Sequence, residues 1–275
     1  TQVDTQEGPQ DIETIQLNQV LSDNGVVTGI LNFEHPINDM YSLYGVHVSG
    51  SHIVYENKNP MFVKDHPEAQ KLPDQNRKVV CLITSTRRIP IVTPNGPINF
   101  ADWEEIDNEL EDLKEWNKQV FALLNPGQTY IEPTMTSLFS EAGVSGNTRI
   151  KTLNGETLKA SEVRPGSTFL SADGTPTKVR GVVTLTGKEV VNSTYLSDGA
   201  SISAGTWVKE YNTWIQRCHL TPKRPKESLW YQFFTESGTF VIQDGQKQIL
   251  VRDFTDVGSA EIHKTYDWVL KVLRQ

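Results

Sequence analysis

Thr1-Gln2-Val3-Asp4-Thr5-Gln6-Glu7-Gly8 opens the chain, and Thr148-Arg149-Ile150-Lys151-Thr152-Leu153-Asn154-Gly155 follows the same pattern 147 residues later. The echo continues in order. Leu21-Ser22-Asp23-Asn24-Gly25 answers Leu170-Ser171-Ala172-Asp173-Gly174, and Thr28-Gly29-Ile30 answers Arg180-Gly181-Val182. Thr84 through Ile89 lies against Thr235 through Phe240, and Ala101-Asp102-Trp103 against Arg252-Asp253-Phe254. The offset drifts only between 147 and 154 residues, as small loop insertions would make it. A long period that occurs twice predicts two copies of one domain, not a solenoid of many short units.

Between the matched blocks the chain reads as short strands and turns. Asp23-Asn24-Gly25, Asn95-Gly96, Asn154-Gly155, Asp173-Gly174, Asp198-Gly199 and Asp244-Gly245 are turn signals. β-branched and aromatic runs such as Gly45-Val46-His47-Val48 and Thr239-Phe240-Val241-Ile242 lie between them, which predicts a mainly β chain. Two stretches break the pattern. Trp103, Ile106, Leu110, Leu113, Val120 and Leu124 fall at helical spacing before Pro126-Gly127, and Ile262, Tyr266, Val269, Leu270 and Leu273 do so near the end. The expected organisation is a first β domain over 1–102 and a linking helix and loop over 103–140. A second β domain over 141–258 and a C-terminal helix over 259–275 complete it.

Composition narrows the function. Of 275 residues, 37% are hydrophobic, enough to bury a core in each copy. Apolar runs such as Val79-Val80-Cys81-Leu82-Ile83 are too short to span a membrane, and no signal-peptide pattern opens the sequence. Two cysteines, Cys81 and Cys218, exclude a disulfide framework and a cysteine zinc site. A net charge of -8 argues against nucleic acid as a partner. The charge divides into -5 over 1–102, -6 over 103–140 and +3 over 141–275, which suggests docking or ordered packing between neighbouring copies. Phosphate loops, His-Glu-x-x-His and a nucleophile elbow are missing, so no cofactor and no small-molecule substrate is expected. The basic cluster Lys223-Arg224-Pro225-Lys226 reads as a solvated loop.

Gly143-Val144-Ser145-Gly146-Asn147-Thr148-Arg149-Ile150 resembles the opening block of the hedgehog/intein (Hint) family, Cys-x-x-Gly-Asp/Thr-Thr-x-Ile. Leu158–Gly166 and Phe169–Gly174 resemble the block that follows it. In the first copy Val48-Ser49-Gly50-Ser51-His52-Ile53-Val54 is similar to the family's Thr-x-x-His block, with Ser49 in place of the threonine. Val80–Thr84 and Phe100–Glu104 resemble the closing blocks. The wording of the first copy is most similar to Hint modules of viruses and phages. The resemblance implies two tandem all-β horseshoe domains. In active members an N-terminal Cys or Ser attacks the preceding carbonyl, a His protonates the leaving amine, and a hydroxyl polarises the scissile peptide.

Carried over residue by residue, most of that set is missing. Gly143 occupies the nucleophile position of the second copy, and the first copy's nucleophile would fall about five residues before Thr1. Ser49 and His52 keep the hydroxyl and imidazole, whereas the second copy has Ser203 and Thr206. His52 reads as a strand histidine held in a hydrogen-bond network, with a catalytic role as the alternative. The family's second histidine maps to Arg87 and Gly238, and its terminal His-Asn to Ala101-Asp102 and Arg252-Asp253. Both aspartates read as turn residues that accept backbone hydrogen bonds. Cys81 matches an internal nucleophilic cysteine of some inteins, but its apolar neighbours predict a buried, inert thiol, and its counterpart is Gln232. His66 and His219 share a position and predict a common turn contact; His35, His47 and His263 have no metal spacing.

The expectation is therefore a catalytically degenerate tandem pair acting as a structural or protein-interaction module. Its partners would be other protein subunits or neighbouring copies, in the cytoplasm or in a virus particle. The alternative is autoprocessing by the first copy, with Ser49, His52 and Cys81 as the remnant catalytic set.

Overall fold

The computed structural model describes residues 1–34, 39–73, 78–103, 110–216, 226–255 and 262–274. The chain is mainly β and divides into two compact units: Thr1–Asp107 together with Ile262–Gln275, and Asn108–Glu261.

In the first unit β1 (Gln2–Thr5) and β2 (Gly8–Asp11) form a hairpin. Then come β3 (Val27–Phe33), β4 (Met40–Leu43), β5 (Val46–Ser49), β6 (Ile53–Glu56), β7 (Asn59–Phe62) and β8 (Gln70–Lys71). The last strands are β9 (Val79–Thr84), β10 (Arg88–Ile91) and β11 (Ile98–Ala101). One sheet has the order β2-β1-β10-β11-β6-β7 and a second the order β5-β4-β8, all antiparallel. β3 pairs with β9 and bulges between Val27 and Gly29. Val3, Leu21, Leu31, Ile53, Val54, Leu82, Ile83 and Phe100 form the buried interior. The C-terminal helix Ile262–Leu273 belongs to this unit. Its Tyr266 ring stands edge-on to Phe62 at 6.4 Å, and Arg274 Nε donates to Pro60 O at 3.2 Å.

The second unit starts with α1 (Leu110–Leu124) and the single turn α2 (Met135–Leu138). β12 (Val144–Ser145), β13 (Arg149–Lys151), β14 (Thr157–Lys159), β15 (Thr168–Leu170), β16 (Pro176–Thr186) and β17 (Ser193–Tyr195) follow. β18 (Ser201–Ser203), β19 (Trp207–Glu210), β20 (Thr213–Gln216), β21 (Leu229–Thr235), β22 (Thr239–Asp244) and β23 (Lys247–Arg252) complete it. The rings of Phe169, Phe233 and Phe240 meet at 5.3 to 5.9 Å in its core. α1 buries Val120 and Phe121 and is fixed by polar pairs to the β20 strand. Asn125 Nδ2 donates to Trp214 O at 2.9 Å, Trp214 N–H returns a bond to Asn125 Oδ1 at 2.7 Å, and Gln216 Nε2 donates to Asn117 Oδ1 at 2.8 Å.

One sheet has the same strand order in both units. The six-stranded sheet β14-β13-β22-β23-β19-β20 of the second matches β2-β1-β10-β11-β6-β7 of the first, strand for strand in chain order. Each helix belongs to the unit whose strands do not immediately precede it: α1 follows β11 but packs on β20, and the C-terminal helix follows β23 but packs on β7. Neither helix is long and apolar enough to cross a membrane.

Candidate functional site

β9 and β10 are joined by a tight turn, and the chain leaving β11 closes over it with Asp102. That carboxylate is buried; its Oδ2 accepts the Thr84 amide at 2.7 Å and the Thr84 hydroxyl at 3.3 Å. Asp102 N–H donates to Arg87 O at 3.3 Å, and Trp103 N–H to Leu82 O at 3.0 Å. The second unit repeats every bond. Asp253 Oδ2 accepts from Thr235 N–H at 2.8 Å and its hydroxyl at 3.1 Å, Asp253 N–H donates to Gly238 O, and Phe254 N–H to Phe233 O. The turn residue is left-handed in both, Arg87 at φ 55° and Gly238 at φ 71°. A buried acceptor that satisfies an amide and a hydroxyl holds the strand ends together.

His52 sits beside this closure. Its Nε2 is 2.8 Å from Ala101 O, the carbonyl of the peptide leading into Asp102, and its ring lies 5.9 Å from that of Phe100. Only an Nε2–H can make that bond, so Nδ1 carries the lone pair. Burial pushes the imidazole below the ordinary histidine value of 6.5, with the Ala101 carbonyl acting in the opposite direction. The unfolded chain therefore binds this proton more readily. The stability linked to His52 is whole above about pH 6.5 and is lost as pH falls through the depressed folded value. His52→Asn removes the titrating group. In urea unfolding between about pH 7.5 and 5, the parent protein should lose stability faster than the variant, and parallel curves would contradict the assignment.

Ser49 and His52 are linked through the backbone, His52 N–H donating to Ser49 O at 3.1 Å. Thr206 N–H does the same to Ser203 O at 3.2 Å. In the second unit this turn grips the incoming segment. Ser203 Oγ donates to Glu141 O at 2.6 Å, Ser203 N–H to Gly143 O at 2.9 Å, and Gly143 N–H to Thr206 Oγ1 at 2.9 Å. Ser203 and Thr206 hydroxyls meet at 2.8 Å, so the set is fully connected. Gly205 lies under the Ser140 carbonyl, closer than any side chain would permit. The arrangement positions the amide of residue 143 beside two hydroxyls, and residue 143 has no side chain to react.

Cys81 lies in β9, is buried, and turns its S–H toward Leu82 O at 3.7 Å. Its counterpart Gln232 is also buried, and Gln232 Nε2 donates to Arg252 O at 3.3 Å. Arg252 O is the counterpart of Ala101 O. The carbonyl capped in one unit by a histidine from the bend between β5 and β6 is thus capped in the other by a glutamine from β21. This pairing of positions 52 and 81 was not read from the sequence, although the alignment of Cys81 with Gln232 carried the signal. Gly205, inside the matched block, was missed as well.

His66 is buried in a turn; its Nδ1 accepts the Glu68 amide at 3.1 Å and its Nε2 lies 3.2 Å from Glu56 Oε2. His47 is exposed on β5. His35, Cys218, His219 and most of the 223–226 basic cluster lie outside the described residues, as does the His263 side chain. Among the described residues no group of three or more His, Cys, Asp or Glu could hold a metal ion.

No protein-family model matches the chain, and no curated protein does. Two crystal structures of the MchDnaB-1 intein are similar to part of it. One has a TM-score of 0.33 at 16% identity over 40% of this chain and 98% of the intein, the other 0.31 at 16% over 38% and 98%.

Proposed function

We propose that the chain is a tandem pair of Hint-like domains that have lost acyl-shift chemistry and act as a structural or protein-interaction module, in a virus particle or another large assembly. The observation that carries this reading is Gly143. The Ser203–Thr206 turn still holds its amide and the carbonyls around it, yet nothing at that position can attack a carbonyl. The matching strand order of one sheet in the two units and the identical Asp102 and Asp253 closures support a duplication. In the first unit, His52 is committed to the Ala101 carbonyl, a bond that caps a buried acceptor whether or not any peptide is cleaved.

The test is the intact mass of the precursor, expressed with whatever residues precede Thr1. After incubation with hydroxylamine or a thiol, a single unprocessed species should persist, and His52→Ala should give the same spectrum. Fragments that form only when His52 is intact would overturn the reading and favour autoprocessing by the first unit.

A further inference from the structure

His66 of the first unit is a buried histidine that the closure around Asp102 does not use. Only 1% of its side chain is exposed. It ends the single turn Val63–Asp65, and Pro67, which has no N–H, follows it. The next amide, that of Glu68, donates to His66 Nδ1 at 3.1 Å. A ring nitrogen that accepts an amide holds its lone pair there, so the ring proton sits on Nε2. Nε2 faces Glu56 Oε2 of β6 at 3.2 Å, yet among the described residues it makes no aligned hydrogen bond. Tyr44 O–H donates to the other oxygen of that carboxylate at 3.4 Å, and its ring stands edge-on to the imidazole at 5.5 Å.

The turn ties two parts of the unit together. Val63 N–H donates to His52 O at 2.8 Å and Lys64 N–H to Gly50 O at 3.0 Å, so the turn supports the bend that carries His52. Beyond His66, Ala69 N–H donates to His66 O at 3.0 Å and Leu72 N–H to Met40 O at 2.8 Å, which seats β8 on the edge of β4. The other titratable groups of the surrounding elements are engaged elsewhere or face solvent. β4 carries the half-buried Tyr41, β5 the exposed His47, and β8 Lys71, which pairs with Asp39 at 3.5 Å. Lys64, Asp65 and Glu68 of the turn itself are exposed. Glu56 is the carboxylate in ion-pair contact with the ring.

We infer that His66 is an acid switch for the β8 edge of the first unit. A second proton, taken from water at Nδ1, displaces the Glu68 amide and turns the ring into an ion pair with Glu56. Nδ1 cannot hold a proton and accept an amide at once, so the closed turn admits only the neutral ring. Protonation leaves Glu68 N–H without its acceptor, and the segment from Glu68 to Leu72 loses its anchor at the His66 ring. The charged ring gains a charge-assisted contact with the Glu56 carboxylate in exchange. The open form binds one proton more than the closed form, so it grows as pH falls through the range in which histidines titrate, about pH 7 to 5. Release of β8 uncovers the hydrogen-bonding edge of β4. This switch goes beyond the loss of acyl-shift chemistry and does not depend on it.

Heteronuclear NMR of the full chain reads both halves of the switch. At about pH 7.5 the His66 ring should show the Nε2–H tautomer, with the amides of Glu68, Ala69 and Leu72 protected from exchange. As the ring takes up its second proton, the protection factors of these amides should fall together by about tenfold or more, while those of the β10–β11 pair hold. His66→Gln supplies an acceptor that cannot be charged, so the same amides should stay protected across the range. His47 and His52 remain in that variant, and a loss that persisted there would belong to them and overturn the inference. Glu56→Gln removes the charge toward which the ring turns and should lower the pH at which protection is lost; an unmoved transition would count against the ion pair. Should His66→Gln fail to fold, the ring tautomer and the Glu56→Gln transition decide alone. A protonated His66 with the amides still protected, or a ring that stays neutral until the whole chain unfolds, would equally overturn the switch.

Discussion

Gly205→Ala is expected to destabilise the second unit by about 3 kcal/mol or more, lowering its melting temperature by roughly 6–12 °C. A Cβ on Gly205 would lie 1.7 Å from the Ser140 carbonyl oxygen, 2.8 Å from its carbon and 3.1 Å from the Glu141 carbonyl carbon. All three are backbone atoms, so no rotamer relieves the overlap. The segment 140–143 has to move. Moving it strains or breaks the bonds from Ser203 Oγ to Glu141 O, from Glu141 N–H to Glu189 O and from Gly143 N–H to Thr206 Oγ1. Each such buried bond contributes about 1 kcal/mol, and leaving its partner unpaired costs more. Gly199→Ala is the control: its φ of +84° is strained for alanine, but a Cβ there meets nothing within 4 Å, so the cost should stay near 1 kcal/mol. Equal melting temperatures for the two variants, measured by circular dichroism, would show that the 140–143 segment is not held at Gly205.

The same turn explains what the sequence could and could not reveal. Turn positions were legible because turn geometry restricts residue choice. The turns at Asp23-Asn24 and Asp173-Gly174 match one residue away from the sequence alignment, which set Gly174 against Gly25: the left-handed residues, of which few types are tolerated, are Asn24 and Gly174. Both helices were legible from their spacing, within the residues described: Leu110–Leu124 lies inside the expected helical stretch and Ile262–Leu273 matches the second. An amphipathic face states only that something covers it. It could not say that α1 packs on β20 through Asn117 and Asn125, because those bonds join residues nearly a hundred positions apart.

Site residues divide along the same line. Asp102 and Asp253 were readable as acceptors of backbone hydrogen bonds because Asp has no donor when ionised, and both accept a threonine amide. That they are buried and take the hydroxyl of the same threonine depends on a strand pairing that spacing does not encode. His52, read from the sequence as a strand histidine in a hydrogen-bond network, does make such a bond but lies in the bend between β5 and β6. The identity of its partner, the carbonyl before Asp102, required the fold. Ser49 and Cys81 share no sequence signal that separates a remnant catalytic group from a packing residue. Their surroundings differ: Ser49 ends β5 and is half-buried, and Cys81 is buried in β9.

His52→Thr is expected to cost about 1–3 kcal/mol, and adding Cys81→Gln to the same chain is expected to return most of that loss. Ala101 is fully buried, and its oxygen is capped by His52 Nε2–H. Threonine at position 52 is too short to reach it, as Thr206 shows by bonding to Gly143 instead. A buried carbonyl left without a donor costs more than the bond contributed when made, because it has lost water as well. The second unit, which has threonine in that turn, caps the same carbonyl with Gln232 Nε2–H from the central strand. Transplanting the pair should therefore transplant the solution. In a cycle of urea-unfolding midpoints the two substitutions should be coupled by 1 kcal/mol or more, whereas sites with no shared partner add to within about 0.5 kcal/mol. Additive losses would mean that His52 does not stabilise the fold through Ala101. A cost of His52→Thr near zero would have the same meaning, and the imidazole would then need another reason for its place. Coupling with an unchanged intact mass would place His52 among the residues that build the fold, not among those that break a peptide bond.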